Sequence, residues 1–179
     1  MTNSNDCGKQ SPLFAEVENN AAFSECRTYR YALWRVWDKS LPLVMFIGLN
    51  PSTANESDND PTIKSVCRIA KHNGFGGVYM MNCFPLVSTD PKKLNEFYKP
   101  DAHEGQYVDN MNWIAKVAAM CSEVVFAWGN FEIAQRQAKI MMDFIPNAKC
   151  LSQNKNGSPK HPLYCKTETK FIPFMDGKQ

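Results

Sequence analysis

A mainly parallel α/β sheet follows from three features of the chain. These are short unbroken apolar runs, amphipathic stretches between them, and polar, Gly or Pro residues directly after each run. Strands covered on both faces read as continuous apolar segments, and parallel neighbours need crossovers that are usually helical. The length of 179 residues suits one domain with one well-buried core. The expected organisation is a flexible lead-in over residues 1–20, rich in Asn, Ser and Glu, then a single α/β domain over residues 21–179.

Residues 29–37 are rich in aromatic and branched side chains, which suits a strand. Residues 38–42 supply a turn, and Leu43, Val44, Met45, Phe46 and Ile47 read as a fully buried strand. The short connection predicts an antiparallel hairpin between these two. Asp60-Pro61-Thr62 is a helix start, with an acidic cap and proline at the first helical position. Ile63, Val66, Cys67 and Ala70 continue at helical spacing, and Gly74 can stop the helix. Residues 78–84 form the next buried strand, and Asp90-Pro91 opens a short helical turn. Tyr107, Met111, Ile114, Ala118 and Cys121 mark a longer helix. Residues 123–128 are a third buried strand, and Phe131, Ala134, Ala138 and Met142 mark another helix. Residues 148–151 add a short fourth strand. The expectation is a three-layer α/β/α architecture, with a central four-stranded, mainly parallel sheet and an N-terminal antiparallel hairpin strand.

Composition narrows the function classes. The longest apolar run, residues 41–49, contains Pro42 and is too short to span a bilayer, and residues 1–20 lack the pattern of a secretory signal. The chain is therefore read as cytoplasmic, with no membrane partner. Seven cysteines is an odd number, and no two are spaced as a paired metal-ligand motif. No histidine pairs with another histidine or a cysteine at ligand spacing, so neither a metal nor a cofactor is expected. A net charge of +2 lacks the basic bias of a dedicated duplex-binding protein, so support for a nucleic-acid partner is weak. Arg68, Lys71, Lys92, Lys93, Lys155 and Lys160 read mainly as solvated surface.

Ligands of open parallel sheets bind beyond the carboxyl ends of the strands. The segments there are Gly48-Leu49-Asn50-Pro51-Ser52, Asn82-Cys83-Phe84-Pro85, Trp128-Gly129-Asn130 and the loop 154–162. Gly48 lets the backbone approach a ligand, and Asn50 either positions water or closes its own turn. Asn82 ends a buried strand and needs partners, either loop backbone or the edge of a base. His161 lies in a Gly/Ser/Pro-rich loop, where an imidazole either stabilises developing charge or caps backbone groups. Phe84, Trp128 and Tyr164 either stack on a flat ligand or fill the core. Leu49, Pro51, Ser52, Asn130 and Lys160 complete the expected ligand-binding set. Walker-type and dinucleotide-binding glycine loops are missing from the sequence.

Two resemblances follow from these motifs. Arg30-Tyr31 with Leu33, the run from Ile47 through Gly48-Leu49-Asn50-Pro51-Ser52-Thr53 to Ala54, Asp60-Pro61-Thr62, Ala127-Trp128-Gly129 and Lys160-His161-Pro162-Leu163-Tyr164 resemble a bacterial and phage domain-of-unknown-function family, number 1643. Residues 151–155 depart from that pattern, where Gly and Thr are expected. More distantly, Gly48-Leu49-Asn50-Pro51, the strand ending at Asn82, the strand ending in Trp128-Gly129, and His161-Pro162 are similar, in the same order, to motifs of the uracil-DNA glycosylase superfamily. That similarity implies a uracil-DNA-glycosylase-like fold. It also implies a water-positioning Asn50 and a leaving-base-stabilising His161 as catalytic residues, and a base-reading Asn82. Leu163 replaces the serine usual after His-Pro, and a counterpart of the duplex-entering apolar wedge is not evident.

Together these readings predict a protein that recognises a nucleobase- or nucleotide-containing ligand, with N-glycosidic-bond hydrolysis as its enzymatic form. The alternative is a non-catalytic protein that binds or sequesters a nucleotide or ADP-ribose-type signal, as a phage or mobile element would use against host defence. A partner-binding domain without a strand-end pocket is the third option.

Overall fold

The computed structural model describes residues 19–90, 92–97 and 104–175; most of the expected lead-in, Cys7, Pro91 and His103 lie outside the described residues. The chain runs β1 (Asn19–Phe23), β2 (Arg30–Val36), β3 (Leu43–Gly48), α1 (Pro61–His72), β4 (Gly77–Asn82), α2 (Lys93–Phe97) and α3 (Glu104–Ala118). It continues through β5 (Glu123–Phe126), α4 (Glu132–Phe144), β6 (Lys149–Cys150), a 3-10 turn at Pro162–Tyr164, and β7 (Ile172–Pro173). The strands form one seven-stranded sheet in the order β1-β2-β4-β3-β5-β6-β7. β4, β3, β5 and β6 are mutually parallel, as the four apolar runs predict. β1, β2 and β7 add antiparallel margins.

The expected hairpin between residues 29–37 and 43–47 does not form. β2 pairs with β1 and with β4, and β4 lies between β2 and β3. The connector after Val36 is long enough to step across two strand spacings of about 4.8 Å each. It passes over the start of β4, where Trp37 and Asp38 donate to the Gly76 carbonyl at 2.9 Å and Gly76 donates to Pro42 at 2.8 Å. β4 is buried along its whole length and therefore takes an interior position, while β2, which carries Arg30 and Arg35, lies nearer the margin. Two strands escaped sequence reading. Residues 19 and 20, assigned to the lead-in, open β1, and β7 is two residues long, too short to show a period.

Alternation along the strands separates two hydrophobic clusters, one on each sheet face. Met45, Ile47, Tyr79, Met81 and Phe126 pack with Ile114 and Val117 of α3 and with Ala134 and Met141 of α4. Val44, Phe46, Val78, Met80 and Val125 pack with Ile63, Val66, Ile69 and Ala70 of α1. α1 begins as its sequence requires, with Asp60 Oδ1 accepting the Ile63 N–H at 2.9 Å and Pro61 in the first turn. Among the described residues, no helix is long and apolar enough to cross a membrane.

Candidate functional site at the carboxyl edge of the sheet

Parallel pairing brings the loops after β3, β4, β5 and β6 to one edge. β2 is antiparallel to β4, so its first residues join that edge. There the Arg30 N–H donates to the Pro85 carbonyl at 2.9 Å, and Tyr29 bridges Leu86. The loops are clipped together in two groups. Cys83, Phe84 and Ser88 donate to the carbonyls of Gly48, Leu49 and Pro51, each at 2.9 Å. Gly129 donates to Pro159 at 3.0 Å, and Lys160 donates to Ser152 at 2.8 Å.

Asn82 is the sharpest feature of the edge. It is 1% exposed, and neither its Nδ2 nor its Oδ1 has a hydrogen-bond partner among the described residues. Gly48 lies beside it in the parallel register, and a Cβ there would sit 2.9 Å from Asn82 Oδ1 and 2.5 Å from Met80 Cε. Glycine at position 48 therefore leaves the space that the carboxamide occupies on the α1 side of the sheet. A buried amide with both ends unpaired costs about 1–3 kcal/mol, a cost that a water, an ion or a ligand group with matching donor and acceptor would relieve.

Arg30 shares that side, because β2 carries an extra residue at Tyr31. The β1–β2 register steps from Ala22↔Ala32 to Phe23↔Arg30, and this bulge turns Arg30 away from the face of Ala32. Arg30 is 2% exposed and donates through Nη1 to the Ala54 carbonyl at 2.9 Å, while its Nε has no partner among the described residues. Burial lowers its pKa to about 10, with Asp60 opposing the shift. Sequence reading did not assign Arg30 to the site; the available signal was an arginine beside the apolar Tyr31-Ala32-Leu33.

His161 precedes the 3-10 turn, whose Pro162 carbonyl accepts the Ser65 hydroxyl of α1 at 3.0 Å, so the imidazole also belongs to the α1 side. Its Nδ1 accepts the Leu163 N–H at 3.3 Å, which assigns the proton of the neutral ring to Nε2. Burial holds its pKa below the ordinary value, partly offset by the negative charge of Asp60. His161 Cβ lies 3.3 Å from where a Cβ on Gly129 would be, and Gly129 has φ +81°. The result is a neutral ring whose Nε2–H is a donor at pH 7.

The depressed pKa has a measurable consequence. The unfolded chain takes up the imidazole proton first as pH falls, so stability is lost downward from about pH 6.5. Urea midpoints between pH 8 and 5 should fall more steeply for the wild type than for His161→Gln. Parallel profiles would show that the ring is solvated.

The other predicted residues are distributed as follows. Asn50 Nδ2 donates to the carbonyls of Pro51 at 3.0 Å, Leu86 at 3.4 Å and Ser88 at 2.8 Å, so its amide nitrogen ties two loops together. Trp128 is 1% exposed and packs on Phe126 and Phe174; with Leu49 and Phe84 it belongs to the core on the α3–α4 side. Trp128 and Asn82 thus share the edge but lie on opposite faces. Pro51 is buried, and Ser52 and Lys160 are half-buried. Asn130 is exposed and accepts from Asn156 Nδ2. Tyr164 is 75% exposed, with its ring 6.1 Å from that of His161. Gly48, Asn82 and His161 are therefore on the α1 side, Asn50 is a loop tie, and Trp128 and Phe84 present no ring face to a ligand in this conformation.

An open cavity of about 340 Å³ lies at the same edge by the β1–β2 turn, lined by Ser24, Glu25, Cys26, Tyr29 and Gln106 and by none of the predicted residues. Hydrogen bonds from Ser24 and Thr28 lower the exposed Cys26 thiol to about 7, whereas burial pushes Cys67 and Cys150 up to about 11 and Cys121 to about 12. A short iodoacetamide pulse at pH 7 followed by peptide mass spectrometry should therefore label Cys26 well before these three. Equal labelling would contradict the assigned hydrogen bonds.

The class shown is a mixed α/β fold whose seven-stranded sheet carries buried polar groups on one side of its carboxyl edge. A family profile described as "Protein of unknown function (DUF1643)" matches residues 30–163, and the chain belongs to that family. Searches of curated proteins and of solved structures return no match.

Proposed function

We propose that the protein recognises a nucleobase- or nucleotide-containing ligand on the α1 side of the strand ends. In this reading Asn82 pairs with the base edge and His161 Nε2–H donates to a base oxygen. The observation that carries it is the Asn82 carboxamide, buried with both ends unpaired beside Gly48. An amide offers a donor and an acceptor side by side, which is the complement of a base edge. A uracil-DNA-glycosylase-like arrangement of layers and motifs belongs to the same reading.

Hydrolysis of an N-glycosidic bond is the enzymatic form, and the neutral His161 favours it. Water would add its oxygen to the anomeric carbon while the C–N bond breaks. The electron pair would leave on the base nitrogen, stabilised by the Nε2–H donor, and the base would finally take the water's proton. Asn50 Oδ1 is the group available to orient that water. A carboxamide accepts a hydrogen bond but does not take up the proton at neutral pH, so stabilisation of the departing base would have to supply most of the rate.

Native mass spectrometry of the full chain with nucleosides, nucleotides and short single-stranded DNA tests both forms, with ligand masses compared before and after incubation. A bound ligand recovered intact leaves recognition without chemistry; released free base gives the hydrolase. If turnover is found, His161→Ala should lower kcat by about 10²–10³ and change KM little. Equal losses in kcat/KM and binding would remove His161 from the chemical step. Failure of all three ligand classes to bind would remove the reading itself.

A further inference from the structure

We propose that Arg30 is an oxyanion-binding residue of this site, placed to take a phosphate group of the ligand whose base edge Asn82 reads. The proposal rests on the nucleobase or nucleotide reading and names its substrate class as phosphorylated.

Arg35 and Arg30 both lie on β2 and both reach the loop 54–59. Arg35 is fully engaged. Its Nε donates to Asn59 Oδ1 at 2.8 Å, its Nη1 to the Trp34 carbonyl at 2.8 Å and the Asn20 carbonyl at 3.3 Å, and its Nη2 to the Asn55 carbonyl at 2.6 Å. That is an arginine used to hold a loop. Arg30 is more deeply placed, yet its Nη1–Ala54 bond leaves the Nε–Nη2 edge without a hydrogen bond among the described residues. Side-on, that edge is the part of a guanidinium that donates to two oxygens of a phosphate or carboxylate.

Charge leads to the same assignment. The ion pairs among the described residues are Arg27–Glu56 and Lys149–Glu123, so no carboxylate of the described residues lies within pairing distance of Arg30. Asp60 acts on it only through space, and its Oδ1 already receives the Ile63 N–H. A buried cation without a hydrogen-bonded anion is costly, and a bound oxyanion would relieve that cost without displacing the Ala54 carbonyl. Arg30, Asn82 and Gly48 come from the successive strands β2, β4 and β3 on the α1 side, with Gly48 level with Asn82 and the Arg30 backbone against Pro85, further out along the same edge. An anionic position thus adjoins a base-edge position, and His161 adds a neutral donor on the same side.

The test uses the full chain, its Arg30→Gln variant, and inorganic phosphate as the first probe, at ionic strength matched with chloride. Phosphate should raise the wild-type Tm and leave that of Arg30→Gln unmoved. By calorimetry, a nucleoside 5′-monophosphate should bind the wild type about tenfold or more tightly than its nucleoside, and the ratio should collapse to near one in the variant. A short single-stranded oligonucleotide in parallel distinguishes a free phosphate monoester from a phosphodiester as the source of the group. A phosphate shift of equal size in both proteins, or none in the wild type, overturns the proposal. If Arg30→Gln does not fold, the Arg30 Nε–H resonance of ¹⁵N-labelled wild type replaces it, and a signal unmoved by saturating phosphate is equally fatal. Phosphate binding through Arg30 with no nucleoside or nucleotide affinity would sink the base reading alone. Nucleoside binding with no gain from phosphate would sink only the anion position.

Discussion

Gly76→Ala should destabilise the protein by about 3 kcal/mol or more, at the upper end of what overpacking causes. A Cβ at residue 76 would be driven into the Asp38 carbonyl oxygen and would lie 2.8 Å from Leu41 Cβ and 3.0 Å from the Asp38 carbonyl carbon. Two of these three are backbone atoms of the connector that crosses the start of β4, and that connector is held by hydrogen bonds from Trp37, Asp38 and Gly76. It has no side-chain end to swing aside, so relief requires the crossing itself to lift. Urea denaturation should show a lower midpoint with an unchanged slope. Gly105→Ala is the control, since no atom of the described residues lies within 4 Å of a Cβ there and the site is near the start of α3. That change should be neutral or stabilise by up to about 1 kcal/mol. Similar small effects at both positions would mean that the connector does not pass over Gly76.

Asn82→Leu should separate function from stability. Leucine retains similar bulk but has no polar atoms, so it removes a donor and an acceptor that have no partner among the described residues. Eliminating an unpaired buried amide should stabilise the free protein by about 1 kcal/mol or more, less whatever the branched side chain loses against Met80 and Gly48. Ligand binding should fall about a hundredfold or more, because a site built around a polar edge rejects what it no longer pairs with. Tm without ligand and affinity for the best ligand from the native mass spectrometry screen are the two readouts. A marked loss of stability without ligand would show that the carboxamide is satisfied within the folded protein, and the site would lose its principal support.

The parallel core was legible because its strands are buried on both faces. Val44, Met45, Phe46 and Ile47, and Val78, Tyr79, Met80 and Met81, are all buried, and such runs carry their own signal whatever pairs with them. The start of α1 was legible for a local reason, since Asp60 and Pro61 act within their own first turn. Pairing between β2 and β4 was not, because it depends on how far a connector reaches and on which strand gains most from an interior position. At the site, Asn82 and His161 could be picked out as polar residues at strand and loop ends. Arg30 could not, because its orientation is decided by a bulge at Tyr31 that exists only relative to β1.

The chain's own pattern of apolar runs and caps determined an α/β fold with four parallel strands, and its polar strand ends determined the edge at which the loops with Gly48, Asn82 and His161 gather. These are local or periodic properties, written in residue order. The division of that edge between two faces was settled by three-dimensional packing. It places Trp128 and Phe84 in the α3–α4 core, keeps Asn82 and Arg30 on the α1 side, and commits the Asn50 amide nitrogen to carbonyls of two loops. Which face a side chain takes depends on register and neighbouring strands, and whether its hydrogen bonds are met depends on atoms far away in sequence.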